Sequence, residues 1–234
     1  MADKLEFLLD RANAFGSPGY TDVELSSILS TAQVHYTKRF FTYKGNALQT
    51  GFEETEARGQ GLSALIQDSG ALTTSADQAG VLPNGIFFDL PEDFMFTIYE
   101  LAQIDKPNCI EDSEAEVRVV SHDEYSKFKS NPYKRPTADN LGASVFRMYF
   151  NANAEGLKRH EVLTDGTFTI SSYRMRYLKN PVDILVNRAA PDDQINCELD
   201  DFTHEVIVTL ARDLMLETVK EQKMIIEPDL DYFE

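Results

Sequence analysis

The chain has 234 residues, 42% of them hydrophobic and 26% charged. This composition argues against a fibrous repeat or wholesale disorder and predicts a folded chain of one large or two small domains. Lysine and arginine number 22 against 39 aspartates and glutamates, a net charge of -17, which opposes any affinity built on nucleic-acid phosphates; the longest basic stretch is Lys134-Arg135 within SNPYKRP. No window approaches about 18 consecutive apolar residues. Asp3, Glu6 and Asp10 occupy the place where a signal peptide would have a basic end and an uninterrupted apolar run, so neither export by that route nor a membrane span is expected.

Residues 3–15 place Leu5, Leu8, Leu9 and Ala12 on one side at helical spacing, until Gly16-Ser17-Pro18-Gly19 breaks the run. Thr21 with Glu24 has the form of a capping box. Leu25, Ile28, Leu29, Ala32, Tyr36 and Phe40 then recur at helical spacing, which predicts a helix over 22–41. After a turn at Lys44-Gly45-Asn46, residues 51–68 read as a third helix, weakened by Gly59 and Gly61, whose last turn packs Leu62, Leu65 and Ile66.

From about residue 70 short segments alternate with turn residues, the mark of strands. A turn is predicted over 81–84 and extended runs over 85–89 and 94–104. A half-buried strand follows at 115–121, then a short helix that starts at His122-Asp123-Glu124-Tyr125 and ends before Pro132. Residues 143–150 and 167–178 are two further strands, and Asp165-Gly166 supplies hairpin-turn chemistry between them. Asp200 or Asp201 caps a last helix that carries Val206, Ile207, Leu210, Leu214 and Met215 to about Gln222. The tail after it, IIEPDLDYFE at 225–234, combines four acids, no base, and the apolar residues Ile225, Ile226, Tyr232 and Phe233.

This order predicts an α+β fold in which N-terminal and C-terminal helices form a helical bundle around a strand-rich middle domain. The expected parts are a helical part at 1–74, a strand-rich domain at 75–196, a C-terminal helix at 197–222 packing on the N-terminal helices, and an acidic tail at 223–234. Such a tail does not fold alone, because like charges repel and its few apolar residues cannot build a core; they are expected to anchor it on a partner.

No catalytic constellation emerges. His35, His122, His160 and His204 stand in no HxH or HExxH context, and His204-Glu205 has Val208 where a second ligand one turn on would be needed. Gly16-Ser17-Pro18-Gly19 and Gly59-Gln60-Gly61 lack the spacing and the preceding strand of a phosphate loop. Cys109 and Cys197 have neither CxxC spacing nor the signature of an activated thiolate, and both are read as reduced and structural. No catalytic, cofactor-binding or metal residues are assigned. The sequence leaves open a carboxylate-based hydrolase or sugar-binding module, since any two acids can meet in a fold.

Six blocks, in order, carry a resemblance: DVELSSILSTAQVHYTKRFF (22–41), GFEETEARGQGLSALI (51–66), LPEDFMF (90–96), HDEYSKFKSNPYKRP (122–136), YRMRYLKNPVDILV (173–186) and CELDDFTHEVIVTLARDLMLE (197–217). With them the chain resembles the head-to-tail connector (adaptor or ring) proteins of short-tailed bacteriophages, most closely those of crAss-like phages. The resemblance implies a non-enzymatic virion component at the head-tail junction, assembled in the bacterial host cytoplasm and requiring no cofactor. It implies a homo-oligomeric ring of twelve copies that joins the portal protein to other tail or connector proteins and lines a channel for the non-specific passage of DNA, with no membrane partner. A subunit at -17 suits such a conduit, because a wall that repels phosphate lets DNA slide.

Overall fold

A computed structural model describes residues 1–13, 20–41, 56–107, 110–139 and 142–226. They fall into two compact units. Met1–Leu65 belongs with the chain from Asn180 onward, and Ile66–Lys179 forms the other. Five helices and nine strands among the described residues make the architecture mixed α+β.

In the first unit α1 spans Ala2–Asn13, α2 Asp22–Phe41, α3 Glu56–Ser63 and α5 His204–Ile226. α2 starts where its capping box predicts. The Thr21 N–H donates to Glu24 Oε2 at 2.9 Å and the Glu24 N–H to Thr21 Oγ1 at 3.3 Å, satisfying two amides that the first turn leaves orphaned. The bonds that the Thr21 N–H and hydroxyl donate to Glu24 Oε2 hold the Glu24 carboxyl below its ordinary pKa. Leu25, Leu29, Ala32 and Tyr36 are buried, as are Leu5 and Leu9 of α1 and Ile207, Val208, Ala211 and Met215 of α5. α5 packs on α2 and α1, and Lys4 pairs with Glu205 across the α1–α5 contact. Asp200 begins the turn that leads into α5, its carboxylate accepting the Asp201 N–H at 2.9 Å. Val206, assigned above to the apolar face of this helix, is 41% exposed, while Val208 is buried in its place.

The third helix is shorter than its sequence suggests. α3 ends at Ser63, the Leu65 N–H closes a last tight turn on Leu62 O, and Ile66–Asp68 are strand. Residues 42–55 lie outside the described residues, and with them the Lys44-Gly45-Asn46 turn; so does Gly16-Ser17-Pro18-Gly19. The helix stops because Ile66 finds a strand partner in Leu178, a pairing with no local signal. Gly61 serves contact: a Cβ there would sit 3.1 Å from Tyr36 Oη and 3.3 Å from Phe202 and Thr203.

The second unit is a curled nine-stranded sheet with one short helix, α4, at Tyr125–Ser130. Its strands are β1 Ile66–Ala71, β2 Thr74–Ala79, β3 Gly85–Asp89, β4 Phe94–Lys106, β5 Ile110–Val119, β6 Thr137–Asp139, β7 Gly142–Phe150, β8 Arg159–Leu163 and β9 Thr169–Lys179. The order across the sheet is β1-β9-β4-β5-β7-β8-β3-β2, with β6 also paired to β7. β1 and β2 are consecutive in the chain yet lie at opposite ends of that order. Leu72 and Thr73 between them bond to both ends, the Leu72 N–H to Tyr173 O and the Asp89 N–H to Thr73 O. Two linking residues cannot cross a flat sheet of this width, so the sheet must curl round on itself.

Inside the curl Phe88, Phe94, Ala102, Ile104, Val145, Val162, Tyr173 and Met175 form the core; outside it Val120, Phe146, Met148 and Leu163 pack under Tyr125 and Phe128 of α4. The Asp165-Gly166 turn is not a hairpin. It connects β8, a strand the sequence reading passed over, to β9, and these two are not neighbours. Asp165 accepts the Thr167 N–H at 2.8 Å and Gly166 takes φ +88°, so the local turn chemistry is present, but the strands it joins pair elsewhere.

Candidate interaction surfaces

In the first unit, α2 holds an extended strap of chain by its side chains. The Arg188 N–H donates to Asp22 Oδ2 at 2.9 Å, the Val186 N–H to Ser26 Oγ at 2.8 Å, and the Ile184 N–H to Ser30 Oγ at 2.9 Å. Four helical residues rise about 6 Å and two extended residues about 6.6 Å, so every second amide of the strap meets every fourth side chain of the helix. Arg188 adds a 2.8 Å pair with Glu6 and a 3.6 Å contact with Asp22; the bond to Glu6 comes first among the causes that raise its pKa. On the strap's other edge Leu185 and Ile195 exchange two backbone bonds of 3.1 Å. Leu185, Ile195 and Val182 are more than 40% exposed, and the first two line an open groove of about 660 Å3 with Val34, His35 and Lys38.

The second unit buries an ionic chain inside its sheet. Arg147 of β7 donates to both oxygens of Glu100 of β4, at 2.9 and 3.1 Å, and the Tyr173 hydroxyl of β9 donates to Glu100 Oε1 at 2.6 Å. Tyr173 has thereby used its one proton. Its oxygen, 2.9 Å from His160 Nδ1, accepts from the protonated nitrogen, which leaves Nε2 unprotonated and without a partner. Burial first, then the Arg147 charge, drives the His160 pKa down to about 2, so the ring is neutral. Burial followed by the Glu100 charge carries the Tyr173 hydroxyl well above its ordinary range. Burial works against the Arg147 charge, and the Glu100 carboxylate outweighs it, holding the guanidinium above its usual pKa. Glu100 Oε1 accepts from Arg147 and Tyr173 and Oε2 from Arg147, so the cluster ties strands β4, β7 and β9 together.

On the outer surface of the same unit, the segment Tyr125–Ala138 carries Lys127, Lys129, Lys134 and Arg135 and no acid. All four are exposed, and none of them forms an ion pair among the described residues. Lys134 Nζ sits 5.0 Å above the Phe128 ring and Lys129 Nζ 5.6 Å above Tyr125. Tyr133 projects at 92% exposure. Beside it lies an open, mostly apolar cavity of about 290 Å3 walled by Val119, Val120, Phe128 and Phe146 and rimmed by Arg118 and Lys134.

Of the residues singled out in the tail, Ile225 and Ile226 fall in the backbone of α5, which runs past the predicted end at Gln222; Tyr232 and Phe233 lie outside the described residues. Cys197 is a free thiol whose pKa burial raises, the opposite of an activated thiolate, and Cys109 lies outside the described residues. His122 Nε2 meets Tyr149 O at 2.9 Å, and His204 Nε2 meets Leu199 O at 3.1 Å. Among the described residues no three His, Cys, Asp or Glu side chains gather as a metal site, and no helix is long and apolar enough to cross a membrane. Sequence reasoning missed the strap and the ionic chain. The signal available for the first was Asp22, Ser26 and Ser30 at intervals of four.

The chain combines a curled sheet that encloses an ionic chain, a helical unit with exposed apolar side chains along its strap, and a basic segment beside α4. Residues 1–224 match the family model for phage tail ring protein 3/4, and the chain belongs to that family. Ring protein 4/5 of Bacteroides phage crAss001 is 24% identical over 224 residues, covering 91% of this chain and 89% of the relative. Ring protein 3 of the same phage is 26% identical over 217 residues, covering 87% of this chain and 89% of the relative. The protein is thus a bacteriophage ring protein, a structural component of the virion.

Proposed function

We propose that this chain is the subunit of a closed homo-oligomeric ring of twelve copies at the head-tail junction, a connector that joins the portal to the tail and lines the channel through which DNA leaves. The observation that carries the reading is the family match over residues 1–224 together with two relatives named as ring proteins. The net charge of -17 supports the channel role, because a wall of like charge to DNA keeps contact weak. In this reading the protein performs no catalysis, and assembly takes place in the host cytoplasm. The N-terminal and C-terminal helices work as one bundle that meets a neighbouring ring or the portal, and the strand-rich part meets adjacent copies. Ile225, Ile226, Tyr232 and Phe233 act as anchors of a tail that orders on a partner.

Electron microscopy of the purified chain and of virions tests it. A ring in solution and matching density between head and tail are the expected result. A chain that stays monomeric and is missing from virions overturns the reading, and a ring found only further down the tail overturns the connector part of it.

A further inference from the structure

We infer that the acidic tail of one copy docks on the basic Tyr125–Ala138 segment of a neighbouring copy, with Tyr232 or Phe233 seated in the cavity beside α4. The inference rests on the ring reading, since it needs a second copy. Lys127, Lys129, Lys134 and Arg135 put four cations and no acid into fourteen residues of a chain of net charge -17, and they have no carboxylate partner among the described residues. The tail supplies the complement: Glu227, Asp229, Asp231 and Glu234, with no lysine or arginine after Lys223.

The apolar parts match as well. The cavity offers Val119, Val120, Phe128 and Phe146 at its walls and the cations of Arg118 and Lys134 at its rim, a site for an aromatic ring flanked by carboxylates. Arg118 already pairs with Glu116 at 2.9 Å, whereas Lys134, 5.0 Å over the Phe128 ring, has no carboxylate partner among the described residues. In DLDYFE two adjacent aromatic residues are bracketed by acids. The tail starts at the end of α5, and residues 227–234 span about 25 Å when extended.

The test uses the full chain. A photo-crosslinking phenylalanine analogue replaces Tyr232, and copies of two isotope labels are mixed. Crosslinks joining the two labels at residues 118–135 are expected. Lys134→Glu with Arg135→Glu should weaken association at least tenfold, and adding Asp229→Lys and Asp231→Lys should recover most of the loss. Crosslinks confined within one copy, crosslinks between copies at another surface, or a charge reversal that leaves association unchanged each overturn the inference. Electron microscopy of the same wild-type sample separates the two failures. Rings whose tails crosslink elsewhere overturn the docking site alone; tail-to-loop crosslinks without a closed ring overturn the ring and keep the docking site.

Discussion

Arg147 and Glu100 meet inside the curled sheet as a two-bond pair, Nε to Oε1 at 2.9 Å and Nη2 to Oε2 at 3.1 Å, with side chains only 3% and 6% exposed. Both charges have left water, and each is tolerable only because the other is present. Arg147→Met is therefore expected to cost about 3–5 kcal/mol by stranding a buried carboxylate. The double variant Arg147→Met/Glu100→Leu should lose far less than the sum of the two single losses, since no buried charge remains. Urea unfolding of the four chains checks this, and simple additivity would refute the coupling.

His160 makes the same cluster sensitive to pH. Its folded pKa, about 2, is far below the ordinary 6.5, so between those values the unfolded chain binds a proton that the folded chain refuses. Stability from this group is complete above the ordinary value and falls as pH drops through the window, by up to about 1.4 kcal/mol per pH unit. His160→Gln keeps a donor for the Tyr173 oxygen but does not titrate. Its urea midpoint should change much less between about pH 7 and pH 5 than that of the wild type; an equal change would assign the effect to carboxylates.

The strap predicts a local effect. Ser26→Ala and Ser30→Ala each remove the acceptor of one strap amide and should each cost about 1 kcal/mol. Hydrogen exchange should quicken at Val186 in the first variant and at Ile184 in the second. Unchanged protection at those amides would show that the helix does not hold the strap.

Gly61 predicts a steric one. The space beside it is filled by Tyr36, Phe202 and Thr203, so Gly61→Leu should destabilise the chain by about 1–3 kcal/mol through overpacking despite leucine's better helix propensity. Gly61→Ala asks the Tyr36 hydroxyl to yield only a few tenths of an ångström and should be much milder. Thermal unfolding of both variants reads the difference, and a leucine variant as stable as wild type would place open space where the contacts stand.

Removing the Thr21 cap tests the start of α2. Thr21→Ala should cost about 1 kcal/mol. The Glu24 contribution, tied to a carboxyl held below its ordinary pKa, is present above that value and fades as pH falls through the lowered one. A pH titration of the Glu24 side chain by NMR checks it: in the Thr21→Ala variant its midpoint should move back up.

What the amino-acid sequence determined by itself is what neighbours in the chain decide. The capping box placed the start of α2 at Asp22 because donor and acceptor are three residues apart; short runs set between turn residues announced β3, β4, β7 and β9, and the alternation over 115–121 announced β5 because a strand's two faces differ in burial. Only the tertiary structure decided the fate of Ile66, whose partner Leu178 comes from the far end of the sheet unit, and of Asp165-Gly166, whose flanking strands pair with others. It alone gathered Glu100, Arg147, His160 and Tyr173. They come from four strands, and in a one-dimensional pattern a polar residue that faces a partner inside a curled sheet looks the same as one that faces water. Burial of a charge depends on a partner supplied from elsewhere in the chain, and that distance is closed only by folding.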